Sequence, residues 1–158
     1  MTKLRMVASV TSLALADSSL VTFNSVDARL SAALMVDAYR GTIDWQDGDD
    51  ESVALAEIES TLAGEYGPFI EAASLAALDE AGQPVSELAC SLFEGLPTIL
   101  FVYTATARKG TGLATRLIRA SAAALTELGH QEVALFVTAG NPAQGLYERL
   151  GFRGSDAD

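Results

Sequence analysis

Residues 106 to 118 read TARKGTGLATRLI, two glycines and two cations followed at once by an apolar pattern at helical spacing. A strand-like run over 97–104 leads into it, so the unit is strand, glycine turn, helix. A helix start offers unpaired backbone N–H groups and the positive end of its dipole. Glycines let an anion approach that backbone closely. Ala114, Leu117, Ile118, Ser121, Leu125 and Leu128 recur at three- and four-residue steps, while Thr115, Arg116 and Arg119 fall toward the other side. The turn therefore reads as a cradle for phosphate. It lacks the Gly-Lys pair of a nucleoside-triphosphate loop, and Thr115 stands where a dinucleotide fingerprint wants a third small residue.

Charge along the chain agrees. The net charge is −11, which argues against nucleic acid as a partner because phosphate backbones need a basic surface. Thirteen acids and no Lys or Arg lie between Gly41 and Ala107. Arg108, Lys109, Arg116 and Arg119 then arrive within twelve residues, pointing to an anionic ligand at the turn.

Outward from the turn, the periodicity predicts a strand over 4–10 and a helix over 26–40 with Leu30, Leu34, Met35 and Ala38 on one side. It predicts a second helix over 51–64, then strands over 72–78, 85–93 and 97–104. The turn helix runs to about Leu128 and stops at Gly129. A strand over 132–138 and a helix over 142–150 follow. A meander followed by βαβα makes an α/β protein with a mixed sheet of about six strands and about four helices, one domain over residues 1–158. Lys3 and Arg5 precede the apolar run MVASVTSLALA, a pattern shared with secretory signals, but Ser9, Thr11 and Ser12 interrupt it. It reads better as a first strand and turn, and a cytoplasmic protein with no membrane partner is expected. With one cysteine, Cys90, no intrachain disulfide can form, and its alternating neighbours make it a packed strand residue. His130 has no ligand partner in sequence, and no metal site is indicated.

The second motif is LFVTAGNPAQGLYERLGF, residues 135 to 152. Together with KGTGLATRLI it resembles the GNAT superfamily of acyl-CoA-dependent N-acyltransferases, closely over about 98–152 and faintly before that. The resemblance implies a GNAT-like fold and acetyl-CoA as co-substrate. Setting Gly112 and Ala114 on the last two fixed places of the family's phosphate motif puts Lys109 where Arg or Gln is usual. Arg108 would share its task. Gly110, Thr111, Gly112, Leu113, Ala114 and Thr115 would hold the pyrophosphate, backbone groups of Val102 and Thr104 would pair with the pantetheine arm, and Asn141 would touch the pantetheine.

The resemblance also makes Tyr147 the general acid that protonates the departing thiolate. A phenol with pKa about 10 is still protonated at neutral pH. The amine must lose a proton as well, and Glu94, just before the central strand, is the first candidate base, with Glu71 and Glu87 behind it. In the family the first two helices and their loop wall the acceptor pocket; here that region holds Tyr39, Asp44, Trp45 and the acids from Asp47 to Glu51, with Tyr66 beyond. Aromatic and acidic side chains suit a cationic amine. The expected activity is acetyl transfer to a primary amine by direct attack. The alternatives are a protein amine as acceptor and a CoA-binding module without turnover. Only RGSDAD follows Phe152 where relatives continue into a closing strand, so a shortened sheet or a homodimer covering its edge is expected.

Overall fold

The computed structural model describes residues 2–44, 46 and 48–154. In chain order the elements are β1 (Lys3–Ser9), α1 (Val10–Leu13), β2 (Val21–Thr22), α2 (Ala28–Tyr39), α3 (Glu51–Leu62), β3 (Leu75–Leu78), β4 (Pro84–Phe93), β5 (Leu96–Thr104), α4 (Leu113–Glu127), β6 (Glu132–Thr138), α5 (Ala143–Leu150) and β7 (Arg153–Gly154). The seven strands form one mixed sheet in the order β2-β3-β4-β5-β6-β1-β7, in which only β5 and β6 run parallel.

Local chemistry sets most boundaries. Asp27 caps α2 by accepting from Arg29 N, and Asp50 caps α3 by accepting from Ser52 N and Val53 N. Asp79 Oδ1 accepts from Ala81 N and Gln83 N and folds the β3–β4 turn. Glu94 and Gly95, with φ of 52° and 83°, join β4 to β5 as a two-residue hairpin of type I′ character.

Helices cover both faces. On one side α1, α4 and α5 enclose a core of Met6, Leu88, Leu117, Leu125, Leu135 and Phe152. On the other, α2 and α3 pack Leu34, Met35 and Ile58 against Phe23, Ala89, Phe101 and Tyr103. Leu30 and Leu128, placed on apolar stripes by periodicity, lie in end turns and stay 38% and 54% exposed.

One boundary departs from the expected plan, and the plan leaves one placement open. Residues 71–73 form a 3-10 turn, so the strand expected from 72 starts at Leu75. The first strand, for which periodicity names no partner, pairs far along the chain. It lies antiparallel between β6 and β7, with Lys3 opposite Thr138 and Ser9 opposite Glu132. The chain after Phe152 adds only the two-residue strand β7 at this edge, paired with Met6 and Val7, so the sheet is shortened there.

Candidate functional site

The site begins with a fault in β5. Ala89 pairs with Phe101 and Cys90 with Ile99, so Leu100 is an extra residue, a β-bulge. The parallel pairing of β5 with β6 is confined to Thr98–Ala134 and Ile99–Leu135 and goes no further than the bulge. Beyond it the strands separate, and a cleft of about 1060 Å³ opens between Leu100–Thr104 and Phe136–Thr138. The β6-facing backbone edge of β5, Val102 and Thr104 included, is left without a strand partner there, a place where an extended chain can add.

At one end the cleft meets the glycine turn. Gly110 and Gly112 have φ of 80° and 86°, and a Cβ built on either meets nothing within 4 Å. Gly112 caps α4 without a side-chain bond. Among the described residues no oxygen accepts from the backbone N–H of Gly110 through Thr115. Gly110, Gly112, Leu113, Ala114 and Thr115 line the cleft. The cradle thus has the unsatisfied donors and the room that phosphate needs. Thr111 points its hydroxyl back to Arg108 O and is not part of the lining. The turn is braced from α2: Thr106 N donates to Asp37 Oδ2 at 2.8 Å, and Thr106 Oγ1 to Asp37 O at 2.9 Å.

Lys109 borders the cleft beside the turn. Its Nζ donates to Ala38 O at 2.7 Å, so it neutralises the C-terminal end of α2 while bordering the cleft. The other cations that line the cleft, Arg108, Arg149 and Lys3, likewise have no acid partner among the described residues. Arg149 and Lys3 escaped the sequence reading. Arg149 could have been found two residues after Tyr147, whereas Lys3 arrives only through the pairing of β1 with β6.

Tyr147 stands on α5 at the cleft wall. Its ring is 9% exposed and meets Phe152 edge-on at 6.0 Å, while its hydroxyl bonds to no described residue. Burial, with a smaller contribution from the Asp44 charge, pushes its pKa up to about 12. Tyr39, at the end of α2, lines the same cleft with its ring 5.8 Å from that of Tyr103; burial first, then Tyr147 and Asp44, raise its pKa as well.

Asp44 and Asn141 meet at the cleft wall, which both line. Thr138 Oγ1 and Asn141 Nδ2 donate to Asp44 at 2.8 and 2.9 Å, and Asn141 Oδ1 accepts from Ala143 N, starting α5. These bonds fasten the α2–α3 loop to the end of β6. Trp45 and Asp47 lie outside the described residues. Of the other loop acids, Asp49 accepts from Gln46 N and Asp50 caps α3. Tyr66 donates to Glu57 at 3.0 Å and does not line the cleft.

The candidate bases fare unequally. Glu94 sits exposed in the β4–β5 hairpin, at the opposite end of β5 from the glycine turn, and does not line the cleft. Glu71 accepts from Asn24. Glu87 is fully buried one layer behind the cleft, accepting from Tyr103 Oη at 2.6 Å and Ser31 Oγ at 2.7 Å. Burial raises its pKa and the two hydroxyl donors oppose the rise. Among the described residues no group of His, Cys, Asp and Glu could hold a metal ion, and no helix is long and apolar enough to cross a membrane.

Comparison with known proteins bears on this geometry. Residues 84–158 match the family model described as FR47-like protein. Comparison with curated protein sequences finds no match. Among solved structures, the chain is similar to a GCN5-related N-acetyltransferase from Sphaerobacter thermophilus, with TM-score 0.70 and 17% identity over 97% of this chain and 48% of that one. A GNAT-family protein from Novosphingobium aromaticivorans gives TM-score 0.67 and 24% identity over 97% of this chain and 59% of that one. AAC(6')-Iy, solved in complex with the bisubstrate analog CoA-S-monomethyl-acetylneamine, gives TM-score 0.62 and 18% identity over 85% and 89%. The chain thus spans about half of the first of these and three-fifths of the second.

Proposed function

The chain carries the GNAT fold with an FR47-like second half, and on that basis we propose that it transfers an acetyl group from acetyl-CoA to a primary amine by direct attack, with Tyr147 as general acid. The observation that carries this reading is the free Tyr147 hydroxyl facing a gap between β5 and β6 that runs on into an amide cradle.

The amides of Gly110–Thr115 would hold the pyrophosphate, with Arg108 and Arg149 adding charge, and the open edge of β5 at Val102 and Thr104 would take the pantetheine arm. When bound, acetyl-CoA supplies an activated acyl carbonyl. Tyr147 Oη keeps its proton because its pKa stands near 12, so it is present as an acid throughout the neutral range. Burial of the ring among Phe152, Leu146 and Ala143 fixes the hydroxyl's direction without a competing bond. An amine near pKa 10.4 must give up a proton at a cost of about 4 to 5 kcal/mol at pH 7. Glu94 does not line the cleft. The cleft wall offers Asp44, and Glu87 lies behind Tyr103.

The test is calorimetric binding of CoA together with thiol release from acetyl-CoA over a panel of primary amines. Binding with release on at least one amine is expected. Binding without release on any amine, peptide amines included, would favour the CoA-binding module. Absence of CoA binding would refute the reading outright.

A further inference from the structure

The pairing of β1 with β6 builds a second charged surface beside the cleft. Lys3, Arg5 and Val7 share a face with Thr138, Phe136 and Ala134 opposite them, while Leu4, Met6, Val133, Leu135 and Val137 point into the core beneath α4. Helices α2 and α3 cover that first face over β4 and β5 only. The floor made by β6 and β1 is therefore open around Phe136, which is 43% exposed and meets Phe93 edge-on at 6.4 Å, while Ala134 and Thr138 on the same face are buried. Lys3 and Phe136 also line the cleft, so the floor is continuous with it.

Arg5 stands directly opposite Phe136, a separation at which cross-strand side chains touch. Its Nε is buried and has no acceptor. Two cations at alternate positions on one strand face repel each other. Yet in a chain with 21 acids neither Lys3 nor Arg5 has an ion-pair partner among the described residues. The acid on that face of β6, Glu132, faces Ser9, two same-face pairs beyond Arg5, and Asp44 is held by Thr138 and Asn141. A buried guanidinium N–H without an acceptor costs free energy unless a ligand supplies one.

Taking acetyl transfer as the reaction, Lys3 and Phe136 line the same cleft as Tyr147, so an acceptor amine bound there meets this floor. We propose that the acceptor amine carries an anionic group, carboxylate or phosphate, which Lys3 and Arg5 bind on this floor while its apolar part lies on Phe136. Of the loop acids that suggested a cationic acceptor, Asp44, Asp49 and Asp50 are engaged in bonds of their own, whereas Lys3 and Arg5 have no such partner among the described residues.

The experiment measures thiol release with glutamate, phosphoethanolamine, a neutral alkylamine, and spermidine. It uses the full chain, Arg5→Gln and Arg5→Glu. Wild type is expected to prefer an anionic amine, and the glutamate and phosphoethanolamine arms tell carboxylate from phosphate. Arg5→Gln should raise KM for that amine about tenfold, a factor equivalent to about 1.4 kcal/mol, with little change in kcat. Arg5→Glu should move preference toward spermidine, a gain that misfolding cannot mimic. A wild-type preference for spermidine that neither variant changes would overturn the proposal and leave acetyl transfer standing. Failure of CoA to bind, measured separately, would overturn both.

Discussion

Replacing Tyr147 by Phe removes one oxygen and leaves the ring. The ring is 9% exposed and packed edge-on against Phe152 at 6.0 Å, and that packing is unchanged. The hydroxyl bonds to no described residue, so no hydrogen bond is lost with it, and the stability change should stay within about 1 kcal/mol. Truncation to Ala would instead open a cavity costing about 3 to 5 kcal/mol. Turnover should respond quite differently. A positioned general acid is worth about 10²- to 10⁴-fold, which at about 1.36 kcal/mol per decade is about 3 to 5 kcal/mol of barrier. The assay is thiol release with the best amine, alongside CoA calorimetry and thermal unfolding of both proteins. Wild type should also show no alkaline loss from this acid below about pH 10, because burial holds the phenol's pKa near 12 and the protonated form is lost only as pH rises through that value. A Phe variant that binds CoA and turns over within twofold of wild type would refute the acid role. So would an alkaline limb in wild type near pH 8 that vanishes in the variant, since a phenol held near 12 cannot produce it.

Gly112→Ala places a Cβ at φ 86°, a strain of about 1 to 2 kcal/mol, and narrows the amide cradle, so calorimetry should show CoA affinity falling at least tenfold with the fold retained. Gly67→Ala is expected to prevent stable folding, because its Cβ would lie 2.1 Å from Leu92 O with φ at 99°, and circular dichroism reads the loss. For Glu87→Gln the sign follows from burial: with the folded pKa raised, the folded state holds its proton longer than the unfolded chain. Wild-type stability therefore falls as pH rises from the ordinary carboxylate value through the raised one, and urea unfolding should show the variant without that fall. Cys90 is fully buried with its thiol pushed up to about 12, so thiol reagents at neutral pH should label it only after unfolding.

The part legible in the chain alone is the part built from near neighbours. The glycine turn, the start of α4, β6, the Asn-Pro entry to α5 and Tyr147 lie within residues 98–152. Each rests on local signals: left-handed glycines, a capping asparagine, an apolar stripe at helical spacing. These act over a few residues and survive whatever the remainder of the chain does. Tertiary structure decided the rest. The bulge at Leu100 that opens the cleft depends on β4 and β5 pairing with one residue to spare. Asp44 meets Thr138 and Asn141 across more than ninety residues, Lys109 reaches the carbonyl of Ala38 in α2's last turn, and Glu87 finds Tyr103 and Ser31 only once α2 lies on the sheet. The placement of β1 is the plainest case. Alternation could show that 4–10 makes a strand with two cations on one face, but a strand's pattern does not name its partner. Only the empty edge of β6, which β1 fills, put Lys3 and Arg5 beside the cleft, because long-range pairing is chosen by the backbone edge that the finished sheet leaves open.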